Sequence, residues 1–223
     1  RLFSQAQTCP IRSADAKHFV LSWTVALAAA AAMDDNVRAV LEKYSWEAYP
    51  SKHLKYFEIG AFDLETSLAT DTTTHITDQK VKDEDCENLS KALQAMTPVN
   101  MKNMYLSNNE IGDAGCAAVA AGCAALENFE LLYIANNKIG NGGLAAIAEK
   151  LPKKNMWQLV LSQNKVGDDG LIAFASAVNK DPTAFSSLKW LFLDANEIGD
   201  KGVDALAKAM VKGLQSIERL ALQ

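Results

Sequence analysis

The sequence predicts an α/β fold of repeated strand–turn–helix units, and three observations carry the prediction. One phrase recurs: "SNNEIGDAGCAAVAAGC" from Ser107 returns as "ANNKIGNGGLAAIAEKL" from Ala135, "SQNKVGDDGLIAFASAV" from Ser162 and "DANEIGDKGVDALAKAM" from Asp194. Apolar residues sit three, five and eight positions before the asparagine of each phrase, and the nearer two alternate at the period of a half-buried strand. Each phrase also ends in apolar residues spaced i, i+1, i+4, which is one stripe of a helix. Self-similarity at a fixed period constrains a fold more strongly than any single residue type.

The units are anchored on Asn109, Asn137, Asn164 and Asn196, at spacings of 28, 27 and 32 residues. Their strands carry Met101, Met104 and Leu106; Phe129, Leu132 and Ile134; Met156, Leu159 and Leu161; Leu188, Leu191 and Leu193. A glycine pair follows each asparagine: Gly112 and Gly115, Gly140 and Gly143, Gly167 and Gly170, Gly199 and Gly202. The first glycine is expected to permit a tight turn and the second to sit where the helix begins. The helix would start after Asp113, Asn141, Asp168 or Asp200, all good N-cap types. The helix stripes are Val119, Ala120 and Cys123; Ile147, Ala148 and Leu151; Phe174, Ala175 and Val178; Leu206, Ala207 and Met210. Alanine in the stripe lets each helix approach the strand layer closely.

An irregular unit flanks the regular ones on either side. In "THITDQKVKDEDCENLSKALQAM", Gln79 stands in the asparagine place and Val81 two positions on, with Leu89, Ser90 and Leu93 on the helix stripe. Lys82 and Asp85 replace both glycines, as suits a terminal unit that caps a stack. At the other end, "IERLALQ" puts Ile217, Leu220 and Leu222 on the strand pattern. A bare strand edge invites aggregation, so the expectation is that the chain continues or that a partner covers that edge.

The composite motif L-x-x-L-x-L-x-x-N-x-I-G-D-x-G resembles the leucine-rich repeat of the ribonuclease-inhibitor type over roughly residues 78–223. The resemblance implies an α/β leucine-rich-repeat solenoid with a parallel β-sheet on the concave face and helices on the convex face. It implies that the asparagines form an inner ladder that bonds the turns of neighbouring units. Residues between and beside the strand leucines would then face the concave side. Those columns read Asn103, Leu131, Gln158, Trp190 and Arg219; Tyr105, Tyr133, Val160, Phe192 and Ala221; Ser107, Ala135, Ser162, Asp194 and Gln223. Contiguous apolar surface on a nominally exposed face marks an interaction site, and Trp and Tyr are typical of binding hot spots. The expected protein-binding residues are Tyr105, Leu131, Tyr133, Val160, Trp190, Phe192 and Asp194. A competing reading has the chain's own N-terminal segment folding across this face. Relatives of this repeat type also act as enzyme inhibitors or small-GTPase activators, so a regulatory role is the alternative to a scaffold.

Three segments are expected: 1–33 an N-terminal extension, 34–75 a helical and aromatic connector and cap, and 76–223 the repeats. His18 to Met33 is a run of 16 residues without Asp, Glu, Lys or Arg. As a helix it would be about 24 Å long, short of a bilayer core of roughly 30 Å. Three readings compete: a short membrane span, an Ala-rich helix buried in an assembly, or the apolar part of a targeting signal. The chain begins "RLFSQAQTCPIRSA", which has two arginines and no acid and fits the retained end of an organellar targeting region. An organellar membrane, plastid thylakoid or mitochondrial inner, is therefore the expected location, with the cytoplasm as alternative. "DDNVRAVLEKYSWEAY" reads as a helix that stops before Pro50. The aromatics Tyr56, Phe57 and Phe62 and then a threonine run connect it to the first repeat.

The 223 residues suffice for one large domain or one domain plus an appendage, and the net charge of −5 argues against nucleic acid as a partner. Cys9, Cys86, Cys116 and Cys123 form no C-x-x-C pair, and His18, His53 and His75 lie far apart, so no metal site is expected. Cys116 and Cys123 lie one heptad apart and read as small hydrophobes on a shared helix face. No nucleophile–base motif or phosphate loop is present, and the glycines and aspartates recur in every unit, as a site used once would not. No catalytic residue and no cofactor is expected. "NLS" at Asn88 falls on a helix and reads as an unused glycosylation sequon.

Overall fold

The computed structural model describes residues 72–96 and 101–223, together with Asp35, Asn36, Ala39 and Lys43, which are helical. The uncharged run 18–33 and the aromatics Tyr56, Phe57 and Phe62 lie outside the described residues. Strand and helix alternate: β1 Thr73–His75, α1 Asp83–Met96, β2 Asn103–Tyr105, α2 Asp113–Cys123, β3 Leu131–Tyr133, α3 Asn141–Lys150, β4 Gln158–Val160, α4 Asp168–Lys180, β5 Trp190–Phe192, α5 Asp200–Gly213 and β6 Arg219–Ala221. The strands form one six-stranded sheet in chain order, every pair parallel. Each helix packs on the next, so the units stack in one dimension.

The core lies between sheet and helices and is built from the predicted positions. Met104, Leu132, Leu159 and Leu191 are buried at the centre of their strands, and Val119, Ile147, Phe174 and Leu206 are buried beneath their helices. Cys86, Cys116 and Cys123 are free and buried, and burial pushes all three thiols up, which keeps them protonated at neutral pH.

The first strand lies inside the threonine run, three residues ahead of the expected start of the repeats. Thr74 takes the place of the central leucine and is buried. In sequence that run reads as a connector, yet the β-branch of threonine suits a strand. The last helix also departs from expectation. Ala207 is exposed and Ala209 is buried in its stead. Val203 and Leu220 are 40% and 37% exposed, whereas their counterparts Leu171 and Leu191 are buried; α5 and β6 are the last elements of the described stack.

The asparagine ladder forms. Asn137 Oδ1 accepts from the backbone N–H of Ile111 in the preceding unit, and its Nδ2 donates to the carbonyls of Leu106, Ile134 and Ala135. Asn109, Asn164 and Asn196 repeat this arrangement. The left-handed residue of each turn is the one before the asparagine, not the first glycine. Asn108, Asn136, Gln163 and Ala195 have φ of 56°, 51°, 57° and 53°, and among the described residues no glycine has positive φ.

Capping differs from expectation as well. The N-cap residues of α2 to α5 are Gly112, Gly140, Gly167 and Gly199, none with a side-chain cap of its own. The carboxylate or amide at the first helical position reaches forward to the next unit. Asp83 Oδ1 accepts from Gly112 N–H at 2.7 Å, Asn141 Oδ1 from Gly167 N–H at 2.7 Å, and Asp168 Oδ1 from Gly199 and Gly202 N–H at 2.7 and 2.9 Å. This close approach dictates the second glycine: a Cβ at Gly115 would stand 2.9 Å from Asp83 Cα. In the first unit Asp85 occupies the glycine position, and its carboxylate accepts from Lys82 N–H at 3.0 Å and Lys43 Nζ at 2.8 Å. Lys43, itself helical, thus meets the first helix of the stack at the position that glycine holds in later units.

Candidate protein-binding face

On the strands, residues flanking the central leucine point away from the helices. Strand register aligns His75, Tyr105, Tyr133, Val160, Phe192 and Ala221 in one column. Rings in the first half of that column stack: His75 on Tyr105 with centroids 4.5 Å apart and planes at 16°, and Tyr105 on Tyr133 at 5.6 Å and 26°. These are offset-stacking distances, which hold ring positions with little freedom to move. All three rings are half-buried. Desolvation lowers the His75 pKa and raises that of Tyr105, with Tyr133 raising the latter further.

The second half of the face is a separate aromatic cluster. Trp190 contacts Phe192 edge-on at 6.3 Å and Trp157 at 5.0 Å, and the Arg219 guanidinium lies 4.4 Å from the Trp190 ring centre. Along the lower rim, Lys102 pairs with Glu130 and Lys189 with Glu218. These pairs are largely exposed and contribute little to stability.

The expected binding residues thus fall on one face, but not all are available. Tyr105, Tyr133, Trp190 and Phe192 are half-buried, with ring surface to spare. Leu131 and Val160 are 4% and 2% exposed, so they are corrected from contact surface to floor. Register explains the burial of Val160, which stands between the longer Tyr133 and Phe192; Leu131 stands between Asn103 and Gln158. Asp194 accepts a hydrogen bond from Ser162 Oγ at 2.6 Å, across neighbouring units. Sequence reasoning missed His75 and Trp157. His75 was hidden by the threonine run. Trp157 lies one residue before its strand, and its vertical neighbours Glu130 and Lys189 gave no aromatic signal. Among the described residues, no group of three or more His, Cys, Asp or Glu side chains converges as a metal site, and no helix is long and apolar enough to cross a membrane.

A parallel sheet stacked unit by unit against helices, with an asparagine ladder between units and an aromatic open face, defines a protein-binding solenoid. The repeats are leucine-rich repeats: the family model described as Leucine Rich repeat matches residues 101–120, 126–148, 155–175 and 187–207. Among solved structures, the chain is similar to the actin-binding site 2 of leiomodin-1, at 14% identity and a TM-score of 0.43, covering 82% of this chain and 91% of that one. It is also similar to an internalin from Listeria monocytogenes, at 19% identity and a TM-score of 0.33, covering 68% of this chain and 47% of that one. No curated protein matches the chain.

Proposed function

We propose that this chain is a non-catalytic binding subunit that holds a protein partner on the open face of its sheet. One observation carries the reading: the half-buried rings of Tyr105, Tyr133, Trp190 and Phe192, from three separate units, share a face that the core does not need. Exposed aromatic surface of this kind is costly to leave wet and is enriched at interfaces. The test pairs binding with stability. Tyr133→Ala and Phe192→Ala should leave the melting temperature within a few degrees of wild type and weaken partner binding by about 2 kcal/mol or more. Lys150→Ala and Lys208→Ala, on the helix surface, should change neither. Normal binding by both aromatic variants, with failure of the lysine variants, would move the working surface to the convex side.

The finer reading is a scaffold subunit of an organellar membrane complex, anchored through the uncharged run His18 to Met33. A spanning run should keep the protein in the membrane fraction through carbonate extraction. Full release with the repeats still folded would leave a peripheral subunit.

A further inference from the structure

We propose that the open face takes a proline-rich segment in polyproline II conformation, running across the strands along the stack. This rests on the reading of that face as the binding surface. The central column carries a ring on β1, β2, β3 and β5 and a valine on β4, so the ring ladder lacks one rung. Tyr133 and Phe192 stand on either side of that gap, two strand steps apart, with Val160 as its buried floor. Two steps span roughly 9.6 Å. One turn of polyproline II, three residues, rises about 9.3 Å. A segment crossing the strands therefore returns the same side of its helix to every second strand. One proline-bearing ridge fits between the Tyr133 and Phe192 rings while the next residues pass over them.

Charge and hydrogen bonding favour the same occupant. From β2 to β5, Asp194 is the single formally charged residue in the three face columns, and Ser162 Oγ already donates to it. Between β2 and β5 the other formal charges lie along the rim, in the Lys102–Glu130 and Lys189–Glu218 pairs, rather than among the rings. Polyproline II makes no internal hydrogen bonds, and each proline lacks an N–H, so such a segment presents carbonyls in excess of donors. The face supplies donors. Tyr105 and Tyr133, both half-buried, carry phenolic hydroxyls. A helical ligand, whose carbonyls are satisfied internally, would offer those hydroxyls fewer acceptors.

The experiment is a titration of the full chain, followed by tryptophan emission and by calorimetry. The probe is a peptide of about ten residues with repeated Pro-x-x-Pro, long enough for three turns. Controls are a Gly/Ser peptide of equal length and an amphipathic helical peptide. Saturable binding of the proline peptide alone is expected, weakened at least about tenfold by Tyr133→Ala and by Phe192→Ala. Val160→Phe, which fills the missing rung, should block binding as strongly; a melting curve on each variant separates blocking from misfolding. No saturation, equal binding of a control peptide, or unchanged binding by the folded variants overturns the proposal. Should a native partner bind through Tyr133 and Phe192 without being displaced by the proline peptide, the binding face stands and this ligand class falls. Should the aromatic variants affect neither partner nor peptide, both readings fall.

Discussion

The carboxylate of Asp113, the first residue of one helix, caps the helix of the next unit by accepting the backbone N–H of Gly143 at 2.9 Å. The same Oδ1 accepts from Gly140 N–H at 2.6 Å. An acid that would ordinarily serve its own helix instead joins two units, and it sits where the positive end of the neighbouring helix dipole favours it. Asp113→Ala should therefore cost about 1–2 kcal/mol, the loss of a good N-cap. Gly143→Ala should cost more, because a Cβ there would stand 2.4 Å from Ile139 Cγ2 and 3.0 Å from Asp113 Oδ1. Urea denaturation of both single variants and the double variant gives the coupling. Additive losses would show that the two residues act separately.

The ladder asparagines are the second place where units depend on one another. Asn137→Ala and Asn164→Ala should each destabilise by roughly 1–3 kcal/mol, since each leaves buried backbone donors and acceptors unpaired. Binding specificity should be untouched. Melting curves alongside a binding titration decide it, and a variant that keeps its melting temperature but loses a partner would place asparagine in the interface.

Ala195 should tolerate improvement. It holds φ at 53°, a left-handed conformation where Asn108 and Asn136 serve in other units. Non-glycine residues pay strain there, and asparagine the least among them. Ala195 is exposed, so a larger side chain meets no obstacle. Ala195→Asn should raise stability by about 0.5–1 kcal/mol. A lower or unchanged denaturation midpoint would mean that the turn is not strained by alanine.

His75 should make stability depend on pH. Burial under the ring stack disfavours its charged form, so its folded pKa lies below the ordinary value of 6.5. As pH falls through 6.5, the unfolded chain takes up the proton first, and stability declines until the lower folded pKa is reached. His75→Asn should lose less melting temperature than wild type between about pH 7.5 and 5.5, above the range where carboxylates titrate. An identical decline in both proteins would assign the effect elsewhere.

The sequence by itself determined the repeat, its register and most of its core. Met104, Leu132, Leu159 and Leu191 are legible because each unit folds by the same local rule, and a pattern written four times averages out the exceptions. The column containing Tyr105, Tyr133 and Phe192 follows from that register, whereas the asparagine ladder was implied by the resemblance to leucine-rich repeats. Contacts between units were decided only in the tertiary structure. The forward reach of Asp113, Asn141 and Asp168, the demotion of Leu131 and Val160 to floor, and the addition of His75 to the ring stack each depend on what the neighbouring unit places alongside. Ala207 and Ala209 exchange roles in α5, the last helix of the described stack. Periodicity records which side of an element faces inward. It carries no record of which side chain from the adjacent layer arrives there, because that depends on the size and hydrogen-bonding capacity of residues some 30 positions away.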